Sequence, residues 1–187
     1  MKILVTVKEV AEVDDEFDIS GLDIAEGSLE YDLNEWDDYA VEEAVQISEA
    51  NDDVEVVTVT IGPERAEETI RMALAKGADR AIRVWDDALE DAQFLDVDAK
   101  AELIAAVVEE EEPDLILSGV QAGDDANGAT GVAVAEEIGF EWAAVVNDLE
   151  LDDAEIASVH RELEGGIEEL TDVELPAVLT IQTGINE

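Results

Sequence analysis

The chain has 187 residues, 47% of them hydrophobic, which is enough for one domain with a sizeable core. It carries 52 acidic residues against nine basic ones, a net charge of −43 that disfavours nucleic acid and anionic membranes as partners. It has no cysteine, which removes disulfides, thiolate nucleophiles and Cys-based metal centres.

No stretch of about 18 uninterrupted apolar residues and no basic-then-apolar leader occurs, so a soluble, cytoplasmic protein without membrane insertion is expected. Apolar content and regular patterning argue against disorder as the reason for so much charge. Adaptation to a cytoplasm of molar salt accounts for it better, because the Debye length there falls to about 3 Å. Glu109 to Glu112 crowd the last turn of an expected helix, where the macrodipole disfavours anions by roughly 0.3–1 kcal/mol each at low salt. Screening relieves that.

In chain order, Ile3–Val7 is apolar almost throughout, as a strand covered on both faces should be. Lys8–Leu33 is long, acidic and irregular, with turns at Gly21 and Gly27, and no regular element is placed in it. Asn34 reads as an N-cap before a helix with the stripe Ala40-Val41, Ala44-Val45 and Ser48. Strand Val54–Ile61 runs into Gly62-Pro63, and Pro63 suits a first helical position. The helix Glu64–Lys76 is expected to bury Ala66, Ile70, Ala73 and Leu74 and to end at Gly77. Strand Arg80–Val84, an acidic linker and helix Asp98–Glu111 follow, the helix turning Leu103, Ile104, Val107 and Val108 inward until Pro113 stops it.

The next segment, Asp114–Gly139, organises the rest. Leu115-Ile116-Leu117 reads as a buried central strand, and Val132, Val134-Ala135 and Ile138 recur at helical spacing up to Gly139. The loop between them carries Gly119, Gly123, Gly128 and Gly131, with Asp124, Asp125, Asn127 and Thr130. Backbone N–H groups there, with the positive helix start, can hold an anion without lysine. The same loop also reads as a plain β-to-α connection, since it matches neither GxGxxG nor the P-loop. The β-α alternation predicts a doubly wound α/β fold with a mostly parallel sheet. Four short strands, Ala143–Leu151, Glu155–Leu163, Gly166–Val173 and Ala177–Thr183, separated by Asp152-Asp153, Gly165-Gly166 and Pro176, predict a small antiparallel extension roughly over 143–183 of a single domain 1–187.

Catalytic residues are sparse. His160 is the single histidine, has no nucleophile elbow near it, and reads as structural or exposed. Carboxylate pairs such as Asp124-Asp125 are too common here to mark acid–base catalysts, and nothing has EF-hand spacing for a metal.

MKILVTVKEV, NEWDDYAVEEAVQISEA, VTVTIGPERAEETIRMALAKGADRAIRV and DLILSGVQAGDDANGATG, in that order, resemble the β subunit of electron transfer flavoproteins. VHRELEGGIEELTDVELPAVLTIQTGINE resembles that family's signature of an acidic Gly-Gly turn followed by Leu-Pro-Ala-Val. The resemblance implies a fold related to the adenine nucleotide alpha-hydrolase-like group. It implies a heterodimer with an α subunit that carries most of the redox FAD, fed by acyl-CoA-type dehydrogenases. It also implies an adenine nucleotide in the β subunit itself, AMP in ordinary members and a second FAD in electron-bifurcating ones, with no catalytic constellation.

Position by position, the implied nucleotide site comprises Val7, Asn34, Thr60, Ile61, Gly62, Gly119, Gln121, Ala122, Asp124, Asn127, Gly128, Ala129, Thr130 and Gly131. In it Thr130-Gly131 present donors to a phosphate, Gly131 leaving room for close approach. Trp36 stands where the family has an aromatic residue towards the α-bound flavin, and it reads equally as a helix-start residue packed on the core. The loop departs from the usual Gln-Ala-Ile-Asp-Asp/Gly-Asp pattern at Gly123 and Ala126, Asn127-Gly128-Ala129 replaces Cys-Asn-Gln or Thr-Ala-Gln, and Glu35 replaces a common proline. AMP and FAD variants differ mainly in this loop, so both remain open. The sequence ends at Asn186-Glu187, where relatives continue into a partner-recognition loop and a C-terminal arm; this chain is expected to lack both. A free-standing nucleotide-binding or stress-sensor protein of similar fold is the alternative. An ATP-cleaving ligase is disfavoured because no Ser-Gly-Gly-type pyrophosphate loop follows the first strand.

Overall fold

Ile3, Leu4 and Val5 have no exposed surface, because the first strand lies inside the sheet with helices over both faces. In a computed structural model that describes residues 1–92, 94–152 and 155–186, this strand, β1 (Lys2–Thr6), is followed by β2 (Glu9–Val13), β3 (Ile19–Ser20), β4 (Asp23–Ile24) and β5 (Leu29–Leu33). Then come α1 (Glu35–Ala50), β6 (Glu55–Ile61), α2 (Glu67–Lys76), β7 (Arg80–Val84), α3 (Asp87–Asp91), α4 (Val97–Glu111), β8 (Leu115–Gly119) and α5 (Thr130–Ile138). The chain finishes with β9 (Glu141–Asp152), β10 (Ile156–Leu163), β11 (Ile167–Glu174) and β12 (Ala177–Ile181). Asp153, part of the expected turn before β10, and the final Glu187 lie outside the described residues.

The main sheet has eight strands in the order β11-β10-β9-β12-β8-β1-β6-β7. From β9 to β7 every pairing is parallel, and β9-β10-β11 form an antiparallel meander at one edge. Side chains alternate between two cores, as the strand period of two demands. Ile3, Val5, Val56, Leu115, Leu117, Leu179 and Ile181 pack under α1 with Val41, Ala44 and Val45. Leu4, Val57, Val59, Ile116 and Val178 pack under α4 and α5 with Ile104, Val108 and Val134. Each fully buried Leu, Ile or Val contributes about 1.5–3 kcal/mol, so the central strands carry most of the hydrophobic stabilisation.

The doubly wound α/β expectation holds, with four corrections. Ala177–Ile181 does not belong to the antiparallel extension: it is inserted between β8 and β9, parallel to both and buried at all five residues. Residues 8–33 are not irregular. β2 and β5 pair as an antiparallel ribbon, pinned by Arg65, which stacks 3.9 Å over the Tyr31 ring and pairs with Glu9 at 2.8 Å. Pro63 precedes a 3₁₀ turn, Glu64–Ala66, rather than opening the α-helix, and Leu74 is 37% exposed. Finally, the crowded end of α4 does not rely on screening alone. Glu111 is clamped by the Arg80 guanidinium, with the Lys2 ammonium at 3.1 Å, and Arg80 above all holds its carboxyl down at about 2.

No helix among the described residues is long and apolar enough to cross a membrane.

Candidate functional site

In a parallel sheet each crossover helix runs back against its strand, so strand C-termini and helix N-termini share one edge. From β1 the chain moves to β6 and β7 on one side, while β8 and β12 lie on the other. The strand order therefore reverses between β1 and β8, and a crevice opens at their C-terminal ends, where open α/β sheets bind ligands. A cavity open to solvent, walled by the ends of β1, β6 and β8 and by the starts of α1, α4 and α5, occupies this place.

Its floor is built from the α4-facing side chains at the strand ends. Thr6 Oγ1 donates to Ser118 Oγ at 2.9 Å, and Val59 and Ile61 continue the surface as an apolar wall with Ile104 and Leu95. Its roof is the loop 120–129, whose Gln121, Ala122 and Gly128 reach the cavity together with Ala129 and Thr130 at the start of α5. Asn34 fixes that roof. Its side-chain amide makes no cap hydrogen bond to α1; instead Nδ2 donates to the Gln121 carbonyl at 2.9 Å, and Oδ1 accepts from Gly123 N at 3.2 Å. Asn34 thus stands at the N-cap of α1 as expected, while its side chain bridges loop and helix start.

Asp37, in the first turn of α1, ties the strand ends together. Its buried carboxylate accepts from Lys8 N at 2.9 Å and Gly119 N at 3.0 Å. Burial pushes its pKa up to about 6, against the downward pull of the Asn34 side chain and those two N–H donors. Gly119 must be glycine for α1 to sit so close, since a Cβ there would lie 2.6 Å from both Asp37 Oδ1 and Trp36 Cβ.

Two of the nine basic residues face the cavity, Lys8 just after β1 and Lys100 in the first turn of α4. Both place Nζ 3.0 Å from Asp125 Oδ2, and Lys8 also pairs with Asp124. Burial opposes charge on Asp125, but Lys100, Lys8 and the Asn127 N–H outweigh it and hold its carboxyl at about 2.

Of the residues expected from sequence, Val7, Asn34, Ile61 and Gly119 meet Gln121, Ala122, Gly128, Ala129 and Thr130 around this cavity. Thr60 turns towards the opposite face, buried, with no hydrogen-bond partner for its hydroxyl among the described residues. Gly62 packs on Ala66 and lends its carbonyl to Arg83 at 3.3 Å. Asp124 and Asn127 lie outside the lining, one salt-bridged to Lys8 and the other donating its backbone N–H to Asp125 at 3.2 Å. Gly131 is buried and faces the sheet: a Cβ would stand 2.6 Å from Thr180 Cγ2 and 3.2 Å from Ser118 Cβ. Its missing side chain lets α5 pack on β8 and β12. Trp36 sits beside the site, its Nε1 donating to Gln182 Oε1 at 3.2 Å just beyond β12.

Sequence reasoning missed Lys8, Lys100, Asp37 and the Thr6–Ser118 floor. The first turn of a crossover helix always returns to the strand C-termini, and that rule alone would have brought Lys100 into view.

His160 lies on β10, in the antiparallel extension, 3.5 Å from Glu168, and does not line the cavity. No group of three or more His, Cys, Asp or Glu placed to hold a metal occurs among the described residues. Apolar wall, hydroxyl floor, two ammonium groups and three helix starts form a cavity suited to a flat apolar ring joined to an anion.

The electron transfer flavoprotein domain matches this chain over residues 21–187. The electron transfer flavoprotein subunit beta of Methylophilus methylotrophus is 47% identical over 191 residues, which span all of this chain and 71% of that protein. The subunit beta of Bradyrhizobium diazoefficiens is 37% identical across the whole chain and 73% of its own length. The mitochondrial subunit beta of Oryza sativa subsp. indica is also 37% identical, with 74% of its length covered.

Proposed function

The chain belongs to the electron transfer flavoprotein family as a β subunit, and from that premise we propose that its cavity holds an adenine nucleotide while the chain pairs with an FAD-carrying α subunit. The pair shuttles electrons from acyl-CoA-type dehydrogenases in the cytoplasm, and the β chain contributes binding and positioning without a catalytic constellation of its own. The observation that carries the nucleotide reading is the meeting of α1, α4 and α5 N-termini with Lys8 and Lys100 around one apolar-walled cavity at the strand-order switch.

In this reading the adenine lies against Val59, Ile61 and Ile104, and the phosphate lies towards Thr130 and the start of α5. Asn34 and Asp37 hold the loop and strand ends in place. Thr60 and Gly62 act through the β6 end that they shape, and Gly131 through the seating of α5. Trp36, held by Gln182, is the flavin-side residue. Bound as AMP the nucleotide is structural; bound as FAD it adds a second redox centre. The residues fit the adenine–ribose–phosphate part common to both.

Protein purified in molar KCl, denatured and extracted, is expected to release one adenine nucleotide per chain, with flavin colour only if that nucleotide is FAD. Calorimetry on the stripped protein should show AMP or FAD rebinding. Failure to release or rebind either one refutes the reading.

A further inference from the structure

We propose that Lys8 and Lys100 are the charged half of the phosphate subsite and that Asp125 is its built-in competitor, giving up both lysines when a nucleotide phosphate arrives. This rests on the nucleotide reading above and adds to it the residues that set the affinity. The two ammonium groups come from separate elements, the end of β1 and the first turn of α4, yet both converge on one oxygen, Oδ2 of Asp125, each at 3.0 Å. All three side chains line the cavity, at relative exposures of 32%, 18% and 22% for Lys8, Lys100 and Asp125.

A chain with 52 acidic residues and nine basic ones can pair any surface lysine many times over. Committing two lysines to a single carboxylate oxygen inside a ligand cavity holds that carboxyl down, and its effect does not end there. It also keeps two cationic donors facing the cavity and neutralised until something better arrives. A phosphate offers three acceptor oxygens and up to two charges, so each lysine gains an oxygen of its own.

Asp125 is built to let go. Its other oxygen, Oδ1, accepts from Asn127 N at 3.2 Å within the same loop, so only Oδ2 must exchange partners. Lys8 also retains its pairing with Asp124. The exchange swaps one anion for another and leaves no lysine bare. The loop 120–129 keeps its tie to α1 through Asn34 and loses its tie to α4 through Lys100. Nucleotide binding therefore releases this loop from α4 and leaves it held to the end of β1 through Lys8 and Asp124.

Calorimetry with AMP and with adenosine, which lacks the phosphate, at one fixed KCl concentration tests the proposal. Asp125→Asn keeps the acceptor for Asn127 and removes the competing charge. It is expected to tighten AMP roughly tenfold while leaving adenosine unchanged. Lys100→Met keeps most of the length of the side chain and the Asp125–Asn127 bond, and is expected to weaken AMP roughly tenfold, again sparing adenosine. Should Asp125→Asn fail to fold by circular dichroism, the lysine variant carries the test. AMP and adenosine shifting together, AMP unchanged, or AMP weakened by Asp125→Asn would overturn the competitor role while nucleotide binding stands. A wild-type chain that binds neither AMP nor FAD overturns the nucleotide reading, and this proposal with it.

Discussion

Gly131 separates two explanations of the central loop, because space for a phosphate and space for a sheet lie on different sides of its backbone. A Cβ at this position would stand 2.6 Å from Thr180 Cγ2, closer than real contacts allow, and 3.2 Å and 3.3 Å from Ser118 Cβ and Oγ. Gly131→Ala must therefore push α5 away from β12 or distort Thr180, and such overpacking costs about 1–3 kcal/mol. The gain of up to about 1 kcal/mol from replacing glycine in a helix offsets part of this. Thr180→Ser removes the one methyl in the way and keeps the hydroxyl that accepts from Val145 N at 2.9 Å; alone it should cost about 1 kcal/mol for the buried methyl. In the double variant the 2.6 Å clash is gone and only the milder crowding against Ser118 remains, so a double-mutant cycle by urea denaturation in molar KCl is expected to show a favourable coupling of about 1 kcal/mol. AMP affinity, measured by calorimetry on folded protein, should follow stability and recover in the double variant. If Gly131→Ala leaves stability intact, abolishes AMP binding and gains nothing from Thr180→Ser, the glycine serves the phosphate after all and the packing account is wrong.

Asp37 provides a pH test: its folded pKa of about 6 lies above the ordinary 3.8, so its stabilising contribution is full below 3.8 and is lost as pH rises through 6. The stability of the wild type relative to Asp37→Asn should fall by up to about 3 kcal/mol across that window in denaturant titrations, and a constant difference would refute it. Glu111 works in the opposite sense, its carboxyl held at about 2 by Arg80 and Lys2, so that its contribution exists above the ordinary 4.5 and disappears towards pH 2. Arg80→Met should shift acid unfolding to higher pH, and an unmoved acid midpoint would mean that the clamp contributes nothing. With a net charge of −43, the chain should melt at a lower temperature in 0.1 M KCl than in molar KCl, because the Debye length grows from about 3 Å to about 10 Å; equal melting temperatures would remove the case for adaptation to salt.

What the sequence makes legible here follows the range of the physics involved. β7, Arg80–Val84, matches its expected bounds because Gly77 ends one helix before it and an acidic segment follows it. α5 was readable from the spacing of Val134, Ala135 and Ile138 and the left-handed Gly139. The ribbon of β2 and β5 was not, since EVAEV and LEYDL alternate over only five residues and owe their place to Arg65 on Tyr31, a contact made from beyond α1. β12 is different, because its signal was present and misread. AVLTI is buried at every position, the mark of a strand covered on both faces, whereas β10 alternates buried with half-buried residues and β11 half-buried with exposed ones, as strands with one wetter face do. Nearness in sequence to the meander hid membership of the parallel core.

The site divides in the same way. Backbone-bearing parts of the loop were legible because glycine spacing is local, but the charges were not, because Lys8, Lys100 and Asp125 are far apart in the chain and meet only through the crossover geometry. A chain so poor in cations invites the inference that its anion site uses backbone N–H groups alone. The fold nevertheless brings two of the scarce cations, Lys8 and Lys100, to the cavity, and scarcity makes each lysine informative. Lys2 and Arg80 gather on Glu111 at the end of α4, while Lys8 and Lys100 gather on Asp125 near its start. The first pair offsets a crowded helix C-terminus, where the dipole needs positive charge. The second lies beside a helix N-terminus, where the dipole needs none, and the proposed phosphate would give it a purpose there.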